Sequence, residues 1–244
     1  MDLLNACQHI TKTDKDILSV ILHGSRARGD YKEDSDYDII FITKSPSKSL
    51  DEEFKIKQNY KNKLAERTKI NEDKLQISLW PFNDFKKEYK KGNSFVHCAL
   101  RDGKFLFSKC KINFNQPTSF YRYALDRITI TKRNIDNIEF TLKNFKNSIL
   151  GSIEREDLGY CSMHLCWAVC MFNNHLPISK YTVLKECKRY FTKKEFKSIK
   201  RTYQLYAKNN HKRIKNEIFS SLFNDLKRIL KRIEKEYVRK EETN

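Results

Sequence analysis

The chain has 244 residues, 39% of them hydrophobic, 33% charged and 12% aromatic, which is enough apolar material for a core of ordinary size and argues against a disordered chain. Its formal net charge of +18 favours polyanionic partners, nucleotides, RNA or acidic protein surfaces, and argues against a cationic substrate, although Lys predominates over Arg as on a generic solvated surface. Seven cysteines, an odd number scattered through amphipathic segments, fit reduced thiols in the cytoplasm, and no apolar stretch reaches the about 20 residues that a membrane span requires.

In chain order, residues 2–12 read as a short helix. Ile17 to Leu22 is an apolar run suited to a strand buried on both faces, and it stops at His23-Gly24-Ser25. A short helix from Ser25 to Arg28 should end at Gly29. Asp36 to Thr43 reads as the second strand, with Asp36, Asp38, Ile40 and Ile42 on one face and Tyr37, Ile39 and Phe41 on the other. Ser49-Leu-Asp-Glu52 is a capping box opening a helix over 50–68, and Leu75 to Leu79 alternates as a third strand. Asn83 or Asp84 should cap a helix ending at Gly92, Ser94 a second ending at Gly103, and Lys104 to Phe107 should form a short strand. Residues 113–118 read as a link between domains. Beyond it every segment reads helical: apolar residues from Tyr121 to Ile149, an almost wholly apolar stretch over 157–173, a helix begun by Ser179, another by the capping box Thr192-Lys-Lys-Glu195, and a final stripe from Ile214 to Tyr237. The expected organisation is thus residues 1–112 as an α/β domain, a mixed sheet flanked by helices, followed by an all-α helical bundle over 118–244.

The chemistry concentrates between Gly24 and Asp38. A Gly-Ser turn after a strand lets a phosphate approach the backbone and offers it a hydroxyl and free N–H groups. Asp36-Tyr37-Asp38 adds two hard oxygen donors, a set suited to Mg²⁺ shared between protein carboxylates and substrate phosphates. Glycine, serine, ten residues, Asp, one residue, Asp is the pattern they form. It resembles the signature of the DNA polymerase β nucleotidyltransferase superfamily, and its wording is similar to that of the minimal nucleotidyltransferases of prokaryotes. Gly92-Asn-Ser-Phe-Val and Ala99-Leu-Arg-Asp-Gly-Lys-Phe-Leu-Phe107 are similar to the end of their catalytic domain. The likeness covers roughly residues 10–110.

This resemblance implies an enzyme that moves a nucleoside monophosphate, AMP for preference, from an NTP to an acceptor hydroxyl of RNA, tRNA or a protein and releases pyrophosphate. Asp36 and Asp38 would be the catalytic residues and hold Mg²⁺ or Mn²⁺, Gly24 and Ser25 would cradle the β and γ phosphates, and Arg26 or Arg28 would neutralise phosphate charge. Members of the superfamily commonly carry a third carboxylate on the next strand, where this chain has Gln76, followed on the same face by Ser78. Three consequences stand open: another acid substitutes, the acceptor is deprotonated without a carboxylate, or the domain binds nucleotide with little turnover. Alternative functions are an aminoglycoside-type antibiotic nucleotidyltransferase and a weakly catalytic, nucleotide-binding toxin–antitoxin component. The helical half loosely resembles the bundles of HEPN proteins or of aminoglycoside nucleotidyltransferases, expected to close the nucleotide cleft and hold the acceptor. The HEPN ribonuclease pattern of Arg closely followed by His does not occur, so no ribonuclease is expected. Cys161, His164, Cys166 and Cys170 lack the paired spacing of a zinc knuckle and read as core residues on a helix.

Overall fold

A computed structural model describes residues 1–109, 112, 119–144, 152–207 and 216–238. It divides into two compact units, Met1–Thr118 and Ser119–Asn244. The first is built on four strands, β1 (Ile17–His23), β2 (Tyr37–Thr43), β3 (Leu75–Pro81) and β4 (Lys104–Ser108), in the spatial order β3-β2-β1-β4. β1 runs antiparallel to β2 and β4, whereas β2 and β3 are parallel. A parallel neighbour cannot be reached by a tight turn, and the 19-residue helix α3 (Leu50–Thr68) lies in the connection that carries the chain across.

Pleating sends alternate residues of β2 into two separate cores. Ile39 and Phe41 pack with Ala6, Cys7 and Ile10 of α1 (Leu3–Thr13) and with Tyr60 and Leu64 of α3. The Tyr60 ring lies tilted against Phe41 at 4.5 Å between centroids, and its hydroxyl donates to Asp14 at 2.6 Å. Ile40 and Ile42 pack with Ile21 and with Phe85, Tyr89, Val96 and Ala99 of α4 (Phe82–Lys90) and α5 (Ser94–Asp102). The buried Ile and Phe side chains of β2 each contribute about 1.5–3 kcal/mol relative to exposure, so the register of β2 is strongly specified.

The helix ends follow from local chemistry. Ser49 accepts the Glu52 N–H at 3.1 Å, while the Glu52 carboxylate reaches the N–H of Lys48. Gly29 closes the short helix α2 (Gly24–Arg28) in the left-handed region at φ 85°, donating to the Ser25 carbonyl. Two expected caps differ. α4 starts after Pro81, not at Asn83 or Asp84, since proline presets the entry φ and has no N–H to leave unpaired. The cap of α5 is Asn93, whose side-chain oxygen accepts from Phe95 and Val96, one residue before the Ser94 expected there.

The second unit is helical: α6 (Tyr121–Asn144), α7 (Ser152–Phe172), α8 (Val183–Cys187), α9 (Lys193–Ala207) and α10 (Asn216–Ile233), followed by a turn of π-helix over Glu234–Val238. α7 packs against α6, α8, α9 and α10, with Leu158, Cys161, Leu165, Cys166, Val169 and Cys170 buried. Its nearly all-round apolar sequence is the expected property of a central helix. The Thr192 capping box forms reciprocally, with Glu195 N–H donating to Thr192 Oγ1 and Thr192 N–H to Glu195 Oε2. Ser179 does not begin a helix. Its hydroxyl accepts from the N–H groups of Tyr181 and Thr182, a turn that postpones α8 to Val183. The 113–118 link, the 145–149 end of the α6 stripe and Ile214 lie outside the described residues. Among the described residues the cysteines are free thiols, and no helix is long and apolar enough to cross a membrane.

Candidate active site

The end of β1 and the start of β2 bring the sequence motif together. His23 pairs with Asp38 across the antiparallel ladder, so Gly24 leaves the sheet beside the Asp38 carboxylate. A Cβ added at Gly24 would overlap Asp38 Oδ2, and Gly24 adopts φ 73°. Both facts favour glycine at this position: any other residue carries the left-handed backbone penalty and has to push the Asp38 carboxylate aside. Ser25 follows, half-buried, in the first turn of α2.

Asp38 is half-buried and within β2, whereas Asp36 is exposed and lies just before the strand. The pleat therefore fixes the direction of Asp38 and does not by itself fix that of Asp36, contrary to the expectation of a strand beginning at Asp36. β2 and β3 place Gln76 as the Cα partner of Asp38, and Ser78 as that of Ile40. In a parallel ladder such partners share a face, so Gln76 stands beside Asp38 with an amide where a carboxylate would complete a three-acid set. Among the described residues no group of three or more His, Cys, Asp and Glu side chains that could hold a metal is present. Carboxylate oxygens such as those of Asp38 and Asp36 are donors of the type that Mg²⁺ or Mn²⁺ takes together with substrate oxygens.

The two arginines differ. The Arg26 guanidinium donates to the Ser35 carbonyl from Nε at 3.0 Å and from Nη2 at 2.7 Å, and to the Glu33 carbonyl at 3.3 Å. It also lies over the rings of Tyr37 at 3.9 Å and Tyr31 at 4.7 Å. Lys74 Nζ donates to the Asp34 carbonyl at 2.5 Å. Arg26 and Lys74 thus tie down the loop that delivers Asp36. Sequence reasoning does not find Tyr31, Tyr37 and Lys74, because nothing in residue type or spacing marks which loop carbonyls a distant cation will meet. Arg28 forms an ion pair with Asp30, Nη2 to Oδ1 at 3.2 Å. Burial, with a smaller push from the Arg28 charge, brings the His23 pKa down to about 4, so this imidazole is neutral at physiological pH. Its ring meets Phe95 edge-on at 4.8 Å.

The mixed four-stranded sheet, its flanking helices and this turn define the fold class of nucleotidyltransferases. Residues 5–112 match the family described as polymerase beta, nucleotidyltransferase, and the N-terminal unit is a domain of that superfamily. Among solved structures, the chain is similar to a spectinomycin adenyltransferase, AAD(9), from Enterococcus faecialis, solved with ATP and spectinomycin, at 14% identity over 92% of this chain and 98% of that one, with a TM-score of 0.50. A Sulfolobus solfataricus protein designated a nucleotidyltransferase matches at 17% identity over 43% of this chain and 77% of that one, with a TM-score of 0.30. At such identities the first likeness is one of fold. No curated protein matches the chain.

Proposed function

We propose that this protein is a Mg²⁺-dependent nucleotidyltransferase that moves an NMP, AMP for preference, from an NTP to a hydroxyl of a macromolecular acceptor, RNA or protein. The observation that carries this reading is the Asp38 carboxylate packed against the positive-φ Gly24 at the mouth of the Gly24-Ser25 turn. In the reaction the acceptor oxygen bonds to the α-phosphorus, the bridging P–O bond to the β-phosphate breaks, and pyrophosphate leaves. Asp36 and Asp38 would hold Mg²⁺ or Mn²⁺, which supplies neutralisation of phosphate charge when bound. Gly24 admits the β and γ phosphates to the backbone, and the Ser25 hydroxyl donates to them. Arg28 adds positive charge nearby, and Arg26 is a positioning residue that acts through the loop carrying Asp36. Gln76 can neither take the acceptor's proton nor match a carboxylate as a Mg²⁺ ligand. Turnover is accordingly slow, and the Gln76→Asp variant gains activity.

The net charge of +18 supports an RNA or acidic-protein acceptor over a cationic one. A second reading, an antibiotic nucleotidyltransferase, draws on the AAD(9) likeness across nearly the whole chain. A third, nucleotide binding with little turnover, as in a toxin–antitoxin component, draws on Gln76 in register with Asp38. Pyrophosphate release separates them, measured with each NTP and Mg²⁺, alone, with tRNA and with spectinomycin, for the wild type and for the variant carrying Asp36→Ala and Asp38→Ala. The proposal expects release stimulated by RNA or protein and abolished in the double variant; release that survives both changes overturns the site assignment.

A further inference from the structure

We propose that the helical unit carries an RNA-binding basin at α8, in which Lys185, Lys188 and Arg189 receive backbone phosphates of a single strand. α8 and the turn after it bury Val183 and Cys187 in the core and so direct Lys185, Lys188 and Arg189 outward, where all three are exposed. They line a cavity of about 770 Å³ together with His175, Ile178 and Glu186. None of the three cations forms an ion pair among the described residues. Arg189 donates from Nη2 to the Tyr190 hydroxyl at 2.7 Å, a neutral partner that leaves its charge uncompensated.

The one carboxylate lining the cavity is already committed. Glu186 Oε2 meets His175 Nε2 at 2.7 Å, and Oε1 accepts from the Ile178 N–H at 3.2 Å and the Thr182 hydroxyl at 2.5 Å. Burial on its own would raise the Glu186 pKa, but the hydrogen bonds from Thr182, His175 and Ile178 outweigh it and hold the group below the usual carboxylate range. The carboxylate therefore anchors the wall of the basin, and three cations outnumber its single negative charge, which leaves a net positive excess to face an incoming ligand. Ile178, which lines the cavity, is 51% exposed, and Tyr181, outside the lining but next to Thr182 in the chain, is 49% exposed with Lys180 Nζ over its ring at 5.4 Å. Cations beside exposed apolar and aromatic surface are what a single strand requires, phosphates on the former and a base on the latter.

This proposal deepens the acceptor half of the proposed function and rests on it, and its test is separable from catalysis. Fluorescence anisotropy of a labelled single-stranded RNA with the full-length chain, over a salt series, provides the readout. Wild-type binding should weaken steeply with salt. The triple variant K185S/K188S/R189S should bind about 10-fold or more weakly at low salt, with the slope of log K against log salt smaller by about 2, as when three phosphates of a single strand are no longer neutralised. A control removing three exposed lysines of α4, K86S/K87S/K90S, changes the net charge equally and should leave most of the affinity. Basin-variant binding within about twofold of wild type, or an equal loss in the control, overturns the proposal. So does full displacement of the RNA by stoichiometric inorganic triphosphate, which would make the basin a site for free polyphosphate. ATP binding to the same proteins reports on Gly24–Asp38 separately: RNA held through the basin with no NTP bound would leave the basin standing and remove the transferase reading.

Discussion

In the N-terminal unit the Asp38 carboxylate lies against a glycine where any side chain would strike it, whereas in the helical unit Lys185, Lys188 and Arg189 stand on exposed surface with space around them. The first arrangement is set by strand register and one φ angle, and a side chain at Gly24 would displace the carboxylate beside it. The second is set by which residues a short helix buries, and its long, flexible cations share the work. Rigid geometry suits a reaction centre, where small displacements are costly, and a diffuse cationic surface suits a polymer held by many weak interactions. Damage should accordingly be abrupt in the one and graded in the other.

The largest effect expected is on folding, because both units rest on well-filled cores. Phe219→Ala in α10 removes a 1% exposed ring and should cost about 3–5 kcal/mol. Denaturant melts followed by circular dichroism would measure this, and they should resolve the loss as one in the helical unit, with NTP binding by the first unit retained. Gly24→Val comes next. It should lower pyrophosphate release about 100-fold, as expected for displaced reacting groups, while the protein remains folded by circular dichroism. Retained activity would mean that Asp38 does not work where it is found.

Arg26→Lys is a milder probe of the same region, since lysine keeps the charge and loses the fork that grips Ser35 and the flat face that stacks on Tyr31 and Tyr37. A fall in activity of about 10-fold is expected, appearing in kcat more than in KM, because the loop delivering Asp36 slackens while the groups that hold phosphate stay in place. An effect confined to KM would assign Arg26 to the nucleotide instead.

A pH dependence is expected of the helical unit as well. His164 is buried, its Nδ1 accepts from Arg127 at 3.2 Å, and its Nε2 has no hydrogen-bond partner among the described residues. Burial, with a smaller push from the Arg127 charge, brings its pKa down to about 3. The unfolded chain, whose histidine titrates near its ordinary value of about 6.5, then binds more protons than the folded one between those limits. Stability should fall as pH drops from about 6.5 towards 3, and it is insensitive to this group above that window. Thermal melts at pH 7 and pH 5 should show the decline, and His164→Gln should flatten it.

What the sequence disclosed divides along the same physical line. Features encoded by residues close in the chain were legible: the Gly29 stop of α2, the Ser49 and Thr192 caps, the alternation that sends Ile39 and Ile40 to different cores, and the continuous apolar character of α7. The pairing of Gln76 with Asp38 was expected through the resemblance to the superfamily, whose members carry a third acid on that strand. Features made by distant groups were not legible. The Lys74 tether joins groups 40 residues apart, and the aromatic seat of Arg26 and the basin at α8, though built from neighbouring segments, depend on side-chain directions that spacing alone does not give. Where two local signals competed, the choice fell by a residue or two: Asn93 over Ser94 as cap, Pro81 over Asn83 or Asp84 as the entry to α4, and a hydroxyl-stabilised turn at Ser179 where a helix start was expected.

The placement of a radiolabel tests nucleotidyl transfer most directly. The acceptor RNA or protein is incubated with Mg²⁺ and ATP labelled either at the α or at the γ phosphorus, with wild-type protein and with the Asp36→Ala, Asp38→Ala double variant. The α label should pass to the acceptor, the γ label should leave with pyrophosphate, and neither should move with the variant. Transfer of the γ label, or of the α label by the double variant, would contradict the assignment.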